Sequence, residues 1–257
     1  MLVIFLAASF IALFYIPKFR VKNIKIENNS TLNPDVIEIL KNELNKKLFL
    51  IIPRDNIFIL RKKHIIQKIL KNIGEVKSVK IKKDFPNGLI INFEEKKTIG
   101  IYCKTEEKCF LIDENGDGFQ EIEAQERVRE LSEKKIIIFE VVTNNPDTSS
   151  RFLEQEKFIN LMEFTRGAEN LLNLKTEKIT IKTEGGSPVQ KYEIYFSKGS
   201  ASGENEKWFA ILDSKIAPKI TLENLKLILD SNIKEKRNRL EYIDLRLQNK
   251  VFFKLKF

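Results

Sequence analysis

The chain has a single histidine, His64, two cysteines, Cys103 and Cys109, and one tryptophan in 257 residues. One histidine leaves a Ser-His or Cys-His nucleophilic pair with one base to draw on. It sits in Arg61-Lys-Lys-His64, in helical line with Lys68 and Lys71. That spacing turns it to solvent among like charges, without a carboxylate to orient it. Two thiolates with no histidine nearby make half a zinc site. No phosphate-cradling Gly-rich loop, zinc motif or nucleophile elbow occurs. The chain is 32% charged, so pairs of carboxylates single out nothing. These absences argue against an enzyme, and no cofactor or metal is expected.

Long apolar runs are also missing, with one exception. Residues 1–16 carry no charge, and Pro17-Lys18-Phe19-Arg20 then opens a Lys/Glu-rich chain. At about 1.5 Å per residue the run spans roughly 24 Å, short of the roughly 30 Å hydrocarbon core. Extension through Phe19, or an upstream start, gives a normal span. A signal peptide fits less well: there is no basic n-region, and Ala7-Ala8-Ser9 lies inside the run instead of after it. Residues 1–18 are therefore expected to be a transmembrane anchor, with the bulk of the chain outside the cytoplasm. Lys18, Arg20, Lys22 and Lys25 follow the run and no basic residue precedes it. The positive-inside rule taken literally points the other way, and a missing basic N-terminal tail would remove the conflict.

The net charge of +9 comes from 45 basic residues interspersed with 36 acidic ones. Mixed charge is a solvated surface; a nucleic-acid face clusters its cations and interleaves exposed aromatics. Attraction to anionic lipid or wall polymer stays open.

The folded part reads as α+β in two units. The first, 19–97, has the order β-α-α-β-β. Residues 21–26 alternate like a strand, and Asn28-Asn29-Ser30 is a turn. Asn33-Pro34 supplies an N-cap and a proline at N1. Val36, Ile37, Leu40 and Leu44 then recur at helical spacing, as do Ile65, Ile66, Ile69, Leu70 and Ile73 before Gly74. Strands over 76–83 and 89–95 close the unit. The second unit, 98–257, is β-rich. Strands are expected over 98–103, 109–113, 135–142, 179–183, 192–197 and 208–213. Helices over 150–165 and 218–234 interrupt them, and two antiparallel strands, 242–247 and 250–257, end the chain.

Cys103 and Cys109 flank a polar turn between two apolar strand-like runs. Residues facing each other across a hairpin reach disulfide geometry, and oxidise outside the cytoplasm. Two free thiols are the alternative. Asp113-Glu-Asn115-Gly-Asp117-Gly118 matches the front half of a calcium loop. The twelfth position is Ala124, however, and the segment follows a strand. A Gly-rich hairpin turn fits better than weak calcium binding.

Read in order, these segments resemble the FtsQ/DivIB bacterial cell-division family. Residues 21–37 and Val76-Lys-Ser-Val79-Lys-Ile81 look like its POTRA domain. Phe85-Pro86-Asn87-Gly88-Leu89-Ile90-Ile91-Asn92-Phe93-Glu94-Glu95-Lys96 looks like that domain's closing strand pair. Cys109-Phe-Leu-Ile-Asp113-Glu-Asn-Gly116 and Leu240-Glu-Tyr-Ile-Asp244-Leu-Arg246 look like a hairpin and a late strand of the following β domain. Lys96 and Thr98 depart from the family's usual Arg and Pro. The resemblance implies a single-pass plasma-membrane protein of the division septum, non-enzymatic. It would hold small bitopic coiled-coil proteins of the FtsB (or DivIC) and FtsL types and influence septal wall synthesis through them.

The C-terminal strand suits that role. Val251, Phe253, Leu255 and Phe257 point to one side, toward the core. Lys250, Phe252, Lys254 and Lys256 point to the other. On an edge strand the free backbone groups are a template for β-augmentation. Phe252 would be the apolar anchor, with Arg246, Lys254 and Lys256 favouring an acidic partner and Leu247 alongside. The alternative is that edge lysines merely block aggregation. An envelope protein binding anionic lipid or wall polymer, and a POTRA-type chaperone for exported chains, are the competing functional readings.

Overall fold

The computed structural model describes residues 15–28, 30–48, 52–103, 108–123, 136–142, 152–183, 190–197, 207–233 and 236–256. Residues 1–14, which hold most of the expected anchor, lie outside them. Among the described residues no helix is long and apolar enough to cross a membrane. The chain divides into two compact units after Lys96.

In the first unit a 3-10 turn, Pro17–Phe19, leads to β1 (Asn23–Ile26). Helix α1 (Asn33–Leu44) follows, then a short hairpin of β2 (Lys47–Leu48) and β3 (Ile52–Pro53). Helix α2 (Lys62–Asn72) precedes β4 (Val76–Asp84) and β5 (Gly88–Glu95). The three-stranded sheet has the order β1-β5-β4, with β5 parallel to β1 and antiparallel to β4. Its core joins Val36 and Leu40 of α1, Ile65 and Ile69 of α2, and Val79, Ile81, Leu89, Ile91 and Phe93 of the sheet. These are the helical and alternating positions that periodicity marks for burial. The start of α1 differs from expectation. Asn33 is already helical and no side chain caps the turn. Its amide donates back to the Asn28 carbonyl at 3.1 Å, while Ser30 Oγ accepts from the Leu32 N–H at 3.0 Å. Side-chain bonding inside the preceding loop has taken the capping residue away from the helix.

In the second unit the strands are β6 (Gly100–Cys103), β7 (Cys109–Ile112), β8 (Gly118–Ile122), β9 (Ile137–Val142), β10 (Lys175–Thr183), β11 (Gln190–Ser197), β12 (Lys207–Asp213), β13 (Leu240–Leu247) and β14 (Lys250–Leu255). They form one nine-stranded sheet in the order β14-β13-β12-β11-β10-β9-β6-β7-β8. Strand β8 was not anticipated. Helix α3 (Gln155–Leu172) runs further than its expected end, stopping at Asn173 in the left-handed region (φ 53°). An αL residue there is an ordinary helix terminator. Helix α4 (Pro218–Ile228) passes into a π turn, Leu229–Ile233.

Both helices cover one face of this sheet. Phe158, Leu161, Phe164 and Ala168 of α3 and Leu225 of α4 pack with Phe139, Ile179, Ile194, Phe196, Trp208, Ala210 and Ile243. The alternate residues of β10 to β14 face the other way, uncovered by those helices.

Candidate protein-docking edge

Strand β14 ends the nine-stranded sheet, so one side of its backbone pairs with β13 and the other has no partner strand among the described residues. Half of its N–H and C=O groups therefore face outward, as an edge strand requires. The turn Gln248-Asn249 joins it to β13, and the Asn224 amide ties that turn to α4 by donating to the Gln248 carbonyl at 2.8 Å.

The edge carries exposed apolar side chains: Leu247 at 51%, Phe252 at 56% and Phe253 at 37%. Val251 and Leu255 lean against the core, partly buried. Phe253 lies opposite Ile243, on the helix-covered side, but at the margin of the sheet it is more exposed than the core position expected for it. Phe257 lies outside the described residues.

Register extends the site inward from the edge. Lys178, Tyr195, Phe209, Tyr242 and Lys254 are successive cross-strand partners from β10 to β14. The Tyr195 and Phe209 rings stack at 5.0 Å, and Phe209 and Tyr242 follow at 5.6 Å. Lys178 Nζ lies 4.6 Å over the Tyr195 ring. The neighbouring row runs Thr180, Glu193, Ile211, Asp244 and Phe252. Phe252 thus ends the neighbouring row on the face turned away from α3 and α4, beside an aromatic stripe.

That face is electrostatically closed on itself. Glu193, 5% exposed, accepts from Lys182 Nζ at 2.8 Å and from the Tyr195 hydroxyl at 3.0 Å, with Lys191 Nζ at 3.2 Å. Burial raises its pKa, but the lysine and tyrosine hydrogen bonds outweigh that and leave it below the ordinary carboxylate value. Burial, then the bond to Glu193, pushes the Tyr195 phenol up to about 12.

The cations expected to meet an acidic partner are engaged within the chain. Arg246 forks onto Asp244, Nε to Oδ1 at 2.9 Å and Nη2 to Oδ2 at 2.7 Å. This holds the Asp244 pKa low against the opposing effect of burial. Lys254 reaches Glu241 at 3.0 Å, and Lys256 Nζ donates to the Lys207 carbonyl at 2.6 Å. Both lysines remain exposed, so an incoming carboxylate has to compete with weak solvent-screened partners.

Elsewhere, Cys103 and Cys109 are paired across the β6–β7 hairpin and bonded, with S–S at 2.01 Å. The Asp113 carboxylate is occupied within its own turn, where Oδ1 accepts from Asn115 N–H at 2.9 Å and Asp117 N–H at 3.1 Å. Among the described residues no three His, Cys, Asp or Glu side chains stand together as metal ligands.

His64 differs from the expectation that it stands among like charges alone. It does have a carboxylate partner: Nε2 stands 3.2 Å from Oε2 of Glu43, which is 6% exposed. Glu43 also takes an ion pair from Lys46 and faces Arg54 at 3.6 Å. Helical spacing within one segment does not reveal a partner supplied by another helix. The aromatic row was missed for a related reason: the alternation in each strand was legible, but the pairing that aligns the strands was not.

Residues 19–96 match the family model described as POTRA domain, FtsQ-type. The match ends where the first compact unit ends. No curated protein matches the chain.

Proposed function

With its FtsQ-type POTRA domain over residues 19–96, the chain is an FtsQ/DivIB-family protein, and we propose that it is a non-enzymatic scaffold of the division septum that docks a partner on β14. The observation that carries this reading is the position of β14 at the end of the sheet, with Phe252 exposed beside a backbone edge that has no partner strand among the described residues. The partner is a small bitopic coiled-coil division protein of the FtsB/DivIC type, with an FtsL-type protein beside it. Its juxtamembrane segment adds a strand to β14, sets an apolar side chain against Phe252 and brings acidic residues to Lys254 and Lys256. Lys254 exchanges Glu241 for the incoming carboxylate. Arg246 keeps its own Asp244 and acts by shaping the turn.

Residues 1–18 are the tether: a single span, N-terminus inside, holding both units outside the cytoplasm at the membrane. Wall synthesis is affected through the partners, without a reaction on this chain.

Co-purification from membranes tests the proposal. Phe252→Ala and Lys254→Glu are expected to lose the FtsB-type partner while the chain stays folded. Unchanged recovery of the partner with both variants overturns β14 as the docking edge.

A further inference from the structure

Three phenylalanines from separate segments of the first unit meet on its surface. Phe19 and Phe58 pack edge to face at 5.0 Å, and Phe58 and Phe85 lie 5.7 Å apart. Phe58 is 57% exposed and Phe85 59% exposed. Rings so exposed, with one another as neighbours, form an apolar surface that water covers in the isolated chain.

The patch is built, not incidental. The Phe19 carbonyl accepts the Ile57 N–H at 2.9 Å, and the Asp55 carbonyl accepts the Val21 N–H at 2.8 Å. Arg20 pairs with Asp55 at 2.8 Å. Asn56, fully buried, accepts the Phe58 N–H on Oδ1 at 2.9 Å. The segment entering the unit is therefore clamped to the loop that carries Phe58. The turn that carries Phe85 is held as well, since the Asn87 carbonyl accepts the Lys22 N–H at 2.9 Å.

Lysines flank the patch: Lys18 adjoins Phe19 in sequence, Lys22 is bonded through its N–H to the turn that carries Phe85, and the Lys83 pKa is lowered by burial and then by the nearby charge of Lys62. Lys18, Lys22 and Lys62 are exposed, and Lys83 Nζ donates to the Phe58 carbonyl at 3.4 Å. Against them stands Asp84, while Arg20 and Asp55 cancel each other.

Position supplies the occupant. The uncharged run ends at Ile16, three residues before Phe19. Three residues reach at most about 11 Å. The headgroup layer outside the hydrocarbon is about 5–8 Å deep. If the run spans a bilayer, its exit point delivers Phe19, Phe58 and Phe85 to the headgroup layer with lysines beside them.

We propose that Phe19, Phe58 and Phe85, flanked by Lys18, Lys22, Lys62 and Lys83, form a lipid-seating surface that docks the POTRA unit on an anionic bilayer. This rests on the reading of residues 1–18 as a membrane anchor. The rings enter the boundary between headgroups and acyl chains, and the lysines meet lipid phosphates. The seat restricts the swing of a unit that a bare tether would leave free to tilt.

The test uses the full chain in vesicles. Phe58→Trp, and separately Phe85→Trp, introduce a reporter above the background of Trp208, which is 3% exposed in the core of the second unit. The chain is reconstituted into mixed phosphatidylglycerol–phosphatidylcholine vesicles with or without brominated acyl chains. The expected result is a blue-shifted added tryptophan that loses most of its emission to bromine, less so in phosphatidylcholine alone. Equal quenching in phosphatidylcholine alone overturns the role of the lysines. Emission that stays red-shifted and unquenched overturns the seat. So does emission shielded from acrylamide but insensitive to bromine, which means that protein covers the patch. Vesicle flotation separates the underlying reading: a chain that floats without quenching keeps its anchor and loses the seat, whereas a chain that does not float loses both.

Discussion

His64 Nε2 and Glu43 Oε2 are 3.2 Å apart, joining α2 to the end of α1 through a carboxylate that is 6% exposed. Burial is the largest influence on Glu43 and raises its pKa. The hydrogen bond from Lys46 and the charges of Lys46, His64 and Lys68 overcome it, so the folded pKa lies below the ordinary value. A depressed carboxylate contributes stability that is present above its unfolded pKa and is lost as pH falls through the folded one. Glu43→Gln is expected to cost about 1–2 kcal/mol at neutral pH. The gap to the parent chain should close on acidification below about pH 4. Urea unfolding at a series of pH values checks this, and a gap independent of pH contradicts it.

Gly116 turns the β7–β8 hairpin at φ +82°, and a Cβ there would stand 2.7 Å from the Phe158 ring. Gly116→Ala combines left-handed strain with a clash against a fully buried side chain. The expected loss is about 2–4 kcal/mol. Thermal unfolding measures it; a loss below about 0.5 kcal/mol would mean that the turn relaxes freely.

The bond between Cys103 and Cys109 closes a loop of sequence separation 6 at the end of the β6–β7 hairpin. By chain entropy so short a loop contributes about 2 kcal/mol. The double replacement Cys103→Ser and Cys109→Ser should cost about that much and leave the partner bound. Loss of co-purification in a folded double variant would link the hairpin to docking.

Phe252→Ala removes a side chain that is 56% exposed, so unfolding should shift by less than about 0.5 kcal/mol. As a docking anchor it should weaken partner binding by about 2 kcal/mol, roughly thirtyfold in Kd. Binding of the purified full chain to a peptide of the partner's juxtamembrane segment reads both numbers on one variant. A binding loss matched by an equal stability loss contradicts the anchor role.

Much of this was legible where the reason for structure is local. The helical spacing of Val36, Leu40 and Leu44 and the alternation of Val79 and Ile81 forecast buried faces because one element decides them. The Cys103 and Cys109 pair was legible because both ends belong to one hairpin. Strand β8 was not, since Gly118-Phe-Gln-Glu-Ile122 has little alternation and is defined by pairing with β7. The row from Lys178 to Lys254 depends on four separate strand registers, none of which a single segment records. Glu43 and His64 belong to different helices, so neither segment announces the other. Leu247, Val251 and Phe252 were readable as candidates. The edge they stand on is a property of sheet order.

The most direct test of the central claim is photo-crosslinking in dividing cells with p-benzoylphenylalanine at position 252, and at Glu121 of the opposite edge strand β8 as comparison. The account predicts a crosslink to the FtsB-type partner from position 252 and none from position 121. A crosslink from 121 alone, or from neither position while the chain is present and folded, would contradict docking on β14.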